Sequence, residues 1–365
     1  MNILFFQNCI SPHQMPYIQY LPALAEVNDV LVIVPEIDMA TRKFMGWNSS
    51  ALMLVEDVRF LINPSENEII NLFEQYDNTN TWCMFSGINS FAMVSDCFKK
   101  SLSYHLHRGI ITEPPLIYNH PLWQHALRFA LKDWSYVRYL DKVFVMGDAF
   151  LSYYRFWSKR WKVIPFVYCT EWKERSSAIY AEKSDKLKVL YVGSLSHRKN
   201  VQLLFKAIAK LSLKEQQQLK LGLVGDGECM TELRALLQSE KILAEVVFYG
   251  MQPMDQVPTF MQQYDVLCLP SLHDGWGAVI NEALTLGMYV ICSDHCGAQY
   301  LVKRSSGKNG QIFKSNDTES LKNVLEYCLS AQKEICTTVD ERIDWARHHI
   351  HGKVVAHYFI ENLKI

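Results

Sequence analysis

Two successive series of short apolar runs, separated by longer amphipathic stretches, constrain this chain more than any other feature. The first series is Asn2–Asn8, Asp29–Val34, Trp82–Phe85, Leu116–Tyr118, Lys142–Met146 and Val163–Phe166, with helical periods at Tyr17–Ala25, Glu66–Gln75 and Leu122–Tyr139. The second is Val189–Val192, Lys220–Val224, Val246–Tyr249, Val266–Leu269 and Tyr289–Cys292, with helical periods at Val201–Leu211, Met230–Gln238, Asp255–Gln263 and Ala278–Leu286. A strand that is apolar on both faces needs cover on both faces, which is the situation of a parallel sheet sandwiched by helices. The expected fold class is therefore α/β, with two Rossmann-like doubly wound domains. A length of 365 residues suits two such domains better than one. No short-period repeat is present, which excludes solenoids and propellers.

The segment Glu171–Lys188 is charged and carries no clean apolar period, as a connection between domains would. The division expected is an N-terminal domain over 1–166 and a linker with C-terminal domain over 167–346. The final stretch from Asp340 is helical in pattern, and its part over 347–365 is expected to pack back on the N-terminal domain. Ligands of open parallel sheets bind beyond the carboxyl ends of the strands. Two such domains facing each other would enclose a cleft, which suits a reaction between two substrates.

Composition narrows the function classes. A net charge of −1 over the whole chain argues against a nucleic-acid partner. No run approaches the roughly 18 apolar residues of a membrane span, and MNILFFQNCI has no basic flank, so it reads as a buried strand and not a signal peptide. The ten cysteines form no C-x-x-C pair. Cys292 and Cys296 have a metal-compatible spacing, but no second pair follows, so no metal site and a reducing, cytoplasmic setting are expected.

The stretch with most chemistry in it is Tyr264–Gly287, YDVLCLPSLHDGWGAVINEALTLG. A buried strand ends at Pro270-Ser271, a loop carries His273, Asp274 and Gly275-Trp276-Gly277, and a helix begins at about Gly277 or Ala278. Free N–H groups at a glycine-flanked helix start suit a phosphate. Asp274, and Glu282 on the helix, have the chemistry to accept hydrogen bonds from sugar hydroxyls. Spacing alone favours the plainer reading, a surface loop acid and an exposed helical glutamate.

This segment resembles the E-x7-E region of retaining GT-B glycosyltransferases, in particular glycosyltransferase family 4, with Asp274 in place of the first glutamate and Glu282 as the second. Ser293-Asp294-His295-Cys296-Gly297 continues the likeness, with one glycine fewer than the family has. Val189–Asn200, VLYVGSLSHRKN, resembles the family turn G-R-x-x-x-x-K-G, in which basic groups neutralise a donor diphosphate. Lys199 falls on the family lysine, Ser194 replaces the arginine, and Arg198 is the candidate to supply its charge. Lys220–Glu228, KLGLVGDGE, resembles the family strand ending in G-x-G, with Gly225-Asp226-Gly227.

The resemblance implies a donor-binding set of Ser194, Arg198, Lys199, Gly225, Gly250, Met251, Gln252, Asp274, Gly275, Trp276, Gly277 and Glu282. Within it, Glu282 would hold the ribose, and the turn Gly250-Met251-Gln252 would meet the base. It implies catalytic roles for Asp274, Lys199 and His120, the last at the end of PLIYNHPLW. Ser11-Pro12-His13-Gln14 resembles a turn of bacterial polysaccharide-assembly enzymes, which places His13 to meet the acceptor or the donor phosphate, and it is assigned to the acceptor side. The implied reaction moves a sugar from a UDP- or GDP-sugar to a glycan or lipid-linked acceptor with retention and without a metal, in surface polysaccharide synthesis. Tyr153–Trp161, YYRFWSKRW, mixes aromatic and basic residues; such a helix more often buries its aromatics and solvates its charges, and it is otherwise the place for peripheral contact with the inner face of the plasma membrane. Rival readings are a sugar-nucleotide epimerase or phosphorylase of the same architecture, and a nucleotide-sugar-binding relative without activity. A nicotinamide dehydrogenase fits poorly, because Gly225-Asp226-Gly227 lacks the third glycine of its fingerprint.

Overall fold

The fold is taken from a computed structural model, which describes residues 1–37, 52–114, 121–149, 151–157, 162–175 and 185–364. The chain divides into two compact units, Met1–Glu171 with Ile350–Ile365, and Trp172–His349. Each is built around one wholly parallel sheet.

In the first unit the strands are β1 Asn2–Phe6, β2 Asp29–Val34, β3 Arg59–Ile62, β4 Thr81–Phe85, β5 His107–Thr112, β6 Lys142–Met146 and β7 Lys162–Phe166. Their order is β3-β2-β1-β4-β5-β6-β7, so the direction of winding reverses between β1 and β4. After their first residues, Asn2 and Thr81, the central strands β1 and β4 are apolar, and Phe5, Phe6, Met84 and Phe85 are fully buried. In the second unit the strands are β8 Leu187–Val192, β9 Leu219–Val224, β10 Glu245–Gly250, β11 Val266–Leu269, β12 Tyr289–Ser293 and β13 Gly310–Phe313. Their order is β10-β9-β8-β11-β12-β13, with the reversal between β8 and β11. Val189 faces Val266 and Leu190 faces Leu267 across that central pair.

Three strands escape the apolar-run criterion. β3 (RFLI) and β13 (GQIF) lie at sheet edges, where partial exposure tolerates polar residues. β5 is internal but opens with His107 and Arg108. The Arg108 guanidinium donates to the carbonyl of Leu106 at 2.9 Å, to that of Tyr104 at 2.8 Å and to Ser101 Oγ at 3.1 Å, so local acceptors make its entry into the sheet tolerable. The strand expected at Leu116–Tyr118 lies outside the described residues.

The helix expected over Tyr17–Ala25 is corrected to Met15–Ile18. Pro22 has no N–H to continue it, and the chain proceeds through successive turns, with Leu21 N–H to Ile18 O at 3.0 Å and Leu24 N–H to Leu21 O at 3.0 Å. The stretch expected to be helical from Leu122 is so in three contiguous pieces, Leu122–Arg128, a π-helical turn Phe129–Asp133, and Trp134–Val137.

The terminal helical pattern is two helices, Val339–His349 in the second unit and Gly352–Leu363 in the first. Phe359 of the latter sits among Phe5, Tyr17, Phe144 and Phe166, with ring centroids 5.0 to 5.8 Å away. Gly352 lets it approach the first helix, since a Cβ there would stand 1.7 Å from Pro16 O. Lys142 completes the docking by donating to the carbonyls of Asn362 at 2.8 Å and Lys364 at 3.0 Å, where the negative end of the helix lies. In the second unit, buried Arg342 of Val339–His349 donates from Nε to Gly287 O at 2.7 Å.

Candidate active site in the C-terminal unit

Three strands of the second unit end in a glycine at the same edge of the sheet: Gly193 after β8, Gly225 after β9 and Gly250 in the last position of β10. The backbones are bonded in series, Gly193 N–H to Val224 O at 3.0 Å and Gly225 N–H to Gly250 O at 2.8 Å. The first two turns touch so closely that a Cβ on Gly225 would stand 1.9 Å from Gly193 O, and its φ of +135° disfavours any side chain. Tyr191, buried in β8, donates its hydroxyl proton to Ser194 O at 2.7 Å and so braces the same turn from below.

From this base the loop after β8 runs through the 3₁₀ turn His197–Lys199, and the loop after β11 runs from Pro270 to Gly277. Because β8 and β11 flank the reversal of winding, these loops face each other at the switch point where open α/β sheets bind ligands. Leu272 N–H donates to Arg198 O at 2.9 Å, and the Arg198 guanidinium donates to His273 O at 2.8 Å. The ammonium of Lys199 donates to a carboxylate oxygen of Asp274, each side chain being 13% exposed. Arg198 reaches the other oxygen of Asp274 at 4.0 Å.

The Asp274 loop is held from its far side by the loop after β12. Asp274 N–H donates to His295 O at 3.1 Å, Gly297 N–H to Asp274 O at 3.0 Å, and Ala298 N–H to Trp276 O at 2.7 Å. A Cβ on Gly297 would meet Gly275 O at 2.2 Å, so this second contact also depends on glycine. Trp276 is buried and donates its indole N–H to Asn281 Oδ1 at 2.7 Å, so its ring anchors the loop to the helix Val279–Thr285. Among the described residues no backbone carbonyl accepts from the N–H of Gly275 or Gly277.

Glu282 lies on the helix Val279–Thr285. Desolvation pushes its carboxyl up to about 7, against the opposing pull of the Lys173 ammonium. One turn further, Thr285 borders a cavity of about 580 Å³ that Trp172, Lys173, Arg175, Asp344 and Arg347 also line. On the β10 side, Gln252 turns its amide back to Tyr249 O at 2.7 Å while Met251 is exposed.

The second unit thus brings together Arg198, Lys199 and Asp274 directly, over the glycine turns at 193, 225 and 250. His120 lies outside the described residues. In the first unit His13 sits in the loop after β1, at the reversal of that sheet, and its carbonyl accepts from Cys169 N–H at 3.0 Å. Three contributors were not singled out from sequence: Tyr191, His295 and Lys173. Tyr191 and His295 act through backbone groups, the latter within the motif Ser293–Gly297 but without a role assigned from it, and Lys173 is remote in sequence from Glu282.

Residues 173–343 match the profile of the family described as glycosyl transferases group 1. Among curated proteins, the chain is similar to the GalNAc-alpha-(1->4)-GalNAc-alpha-(1->3)-diNAcBac-PP-undecaprenol alpha-1,4-N-acetyl-D-galactosaminyltransferase of Campylobacter jejuni, 30% identical over 60% of this chain and 61% of that protein. It is also similar to the lipopolysaccharide core biosynthesis glycosyltransferase LpsE of Rhizobium meliloti, 29% identical over 42% of each. The alignments thus span less than two thirds of these relatives. Among solved structures, that of HepE from Anabaena in complex with UDP has a TM-score of 0.71 at 17% identity and covers 100% of this chain and 99% of its own. WaaG, a glycosyltransferase involved in lipopolysaccharide biosynthesis, has a TM-score of 0.61 at 15% identity over 98% of each chain. The fold shared with these structures is GT-B.

Proposed function

We propose, from the premise that residues 173–343 are a group 1 glycosyl transferase domain, that this chain moves a sugar from a nucleoside diphosphate sugar to a hydroxyl of a glycan or lipid-linked acceptor in surface polysaccharide assembly. The observation that carries this reading is the convergence of Lys199, Arg198 and Asp274 at the switch point of the second sheet. An ammonium has three donors, and Asp274 engages one, which leaves others for a diphosphate oxygen. The planar guanidinium of Arg198 adds a second cation, and the backbone N–H groups of Gly275 and Gly277 add neutral donors. Together they stabilise the charge that develops as the diphosphate leaves, the role that a metal takes in other transferases. Glu282 in carboxylate form accepts from the ribose hydroxyls, and the Gly250-Met251-Gln252 turn meets the base.

UDP is favoured over GDP, because the HepE structures were solved with UDP and with UDP-glucose. In the step proposed, the bond from the anomeric carbon to the diphosphate oxygen breaks and a bond to the acceptor oxygen forms on the same face. The acceptor proton passes to the departing phosphate oxygen. Asp274 orients the sugar, His120 acts beside it, and His13 serves the acceptor side.

A lipid-linked acceptor draws support from the undecaprenol-linked substrate in the name of the Campylobacter relative. It also draws support from the first unit's surface. Trp123, Leu127, Leu131 and Trp134 are 64%, 52%, 74% and 50% exposed on successive turns of the helical stretch from Leu122, and Phe156 is 80% exposed on the helix Leu151–Trp157. Arg138, Arg155 and Lys162 are exposed in the same unit. Exposed aromatics with cations suit an anionic membrane surface. Among the described residues no helix is long and apolar enough to cross a membrane.

The decisive measurement is thermal unfolding of wild type and Glu282→Ala against UDP, GDP, CDP, ADP and NAD. A ligand at about 100 times its dissociation constant adds roughly 2.7 kcal/mol. Stabilisation by one nucleoside diphosphate, weakened in the variant, supports the reading and names the donor. Stabilisation by NAD alone, or by none of the five at millimolar concentration, overturns it.

A further inference from the structure

The turn that carries Arg198 and Lys199 also carries His197, and His197 points toward a different pair of residues. Cys229 caps the helix Met230–Ser239, and Glu232 lies three residues on in its first turn. One candidate ligand atom from each of His197, Cys229 and Glu232 lies within 4.8 Å of the others, and among the described residues this is the group with that geometry.

A histidine beside a thiol is by itself an ordinary packing contact. Three further observations distinguish this one. His197 Nδ1 and Cys229 Sγ are 3.6 Å apart, which is about the edge of a tetrahedron with a zinc–sulfur distance of about 2.3 Å and a zinc–nitrogen distance of about 2.0 Å. Gln202, itself buried, donates from Nε2 to Glu232 Oε2 at 3.2 Å, so a fixed amide orients the carboxylate from behind. Both backbones are pinned, with Cys229 N–H to Leu195 O at 2.9 Å and His197 N–H to Glu228 Oε1 at 3.2 Å. Exposure of His197 and Glu232 gives an ion a way in, while Cys229 is buried behind them.

We propose that His197 Nδ1, Cys229 Sγ and a Glu232 carboxylate oxygen form a Zn²⁺ site, with water as fourth ligand. Sulfur and imidazole donors select a borderline-soft ion over Mg²⁺ or Ca²⁺, which take oxygen ligands. On binding, the thiol proton leaves to solvent, the imidazole binds neutral, and the zinc–sulfur bond replaces the S–H bond. The ion then clips the turn after β8 to the helix after β9 and stiffens the turn that holds Lys199.

The test uses the full chain, freed of metal with chelator, and no nucleotide, so its failure leaves the donor reading untouched. Zn²⁺ is titrated in competition with a chromophoric chelator, and Co²⁺ substitution is followed by its thiolate charge-transfer absorbance. The expected result is one equivalent bound, a charge-transfer band that Cys229→Ser abolishes, and zinc affinity at least ~10-fold weaker in His197→Ala and Glu232→Gln. Zn²⁺ should raise the Tm of wild type and not that of His197→Ala, whose exposed position keeps the test valid if Cys229→Ser does not fold. Absence of the band in wild type, or unchanged zinc affinity in His197→Ala, overturns the proposal.

Discussion

Lys199 and Asp274 are 75 residues apart in sequence, yet the ammonium of one donates to the carboxylate of the other, with each side chain 13% exposed. The resemblance assigns them separate tasks, one toward the diphosphate and one toward the sugar. Their pairing makes the two tasks interdependent and gives the variants opposite signatures. Lys199→Met removes a charge-assisted donor worth about 1.5–3 kcal/mol, so UDP affinity should fall ~10- to 100-fold. Asp274→Asn removes a negative charge beside the diphosphate position, so UDP affinity should hold or rise while sugar transfer falls. Calorimetric titration of both variants with UDP checks this. An equal loss of UDP affinity in the two would show that the pair acts only as a structural clamp.

Glu282 supplies a pH dependence. Its carboxyl in the folded chain is pushed up to about 7, above the ordinary glutamate value, because desolvation disfavours the charged form. A raised acid favours the fold while both states are protonated, and that contribution is lost as pH rises from the unfolded value through about 7. Glu282→Gln should therefore leave stability nearly unchanged near pH 4.5 and raise it above pH 7, by about 3 kcal/mol. On the proposed reading ribose hydroxyls donate to the carboxylate, so wild-type UDP affinity should increase between about pH 6 and pH 8, and the Gln variant should show a weaker, flat profile. Chemical denaturation and UDP titration across that range test both.

The glycine turns separate two kinds of cost. At Gly225 a Cβ would lie 1.9 Å from Gly193 O, and at Gly250, with φ +69°, nothing stands within 4 Å. Gly250→Ala should lose about 1–2 kcal/mol, the cost of the left-handed backbone alone. Gly225→Ala must in addition push two strand ends apart, and should lose more stability and UDP binding together. Tm and UDP affinity of the pair decide it; equal losses would contradict the close approach.

The proposed membrane contact rests on exposed apolar side chains in the first unit. Sedimentation with vesicles containing anionic lipid should capture wild type, less so at high salt. Combined replacement of Trp123, Leu127 and Leu131 by Ser should reduce capture at least ~10-fold, since each exposed side chain contributes ~1 kcal/mol or more on insertion. Their exposure predicts an unchanged Tm. Undiminished capture would remove this face from the acceptor reading.

The sequence by itself determined the fold class. A strand apolar on both faces calls for the cover a parallel sheet has, so β1, β2, β4, β6, β7, β8, β9, β10, β11 and β12 were legible as apolar runs. β3, β5 and β13 were not, because β5 satisfies Arg108 with local carbonyls and β3 and β13 are only half covered. The helix assigned to Tyr17–Ala25 shows that an apolar period yields to a proline within it. The candidate residues Lys199, Asp274 and Glu282 were singled out because the motifs that carry them resemble those of a known family in order, Lys199 and Asp274 in loops after strands and Glu282 on the helix Val279–Thr285.

What only the tertiary structure decided is which strand ends are neighbours. Strand order depends on how crossovers wind, and no local pattern carries it. The placement of β8 beside β11 sets Lys199 on Asp274, and that of β8 beside β9 sets Gly193 on Gly225 and His197 on Cys229. Each of these contacts joins residues that are remote in sequence. They are made only once two strands pair and their carboxyl ends come level, because a side chain or a missing Cβ acts on what lies within a few ångströms of it.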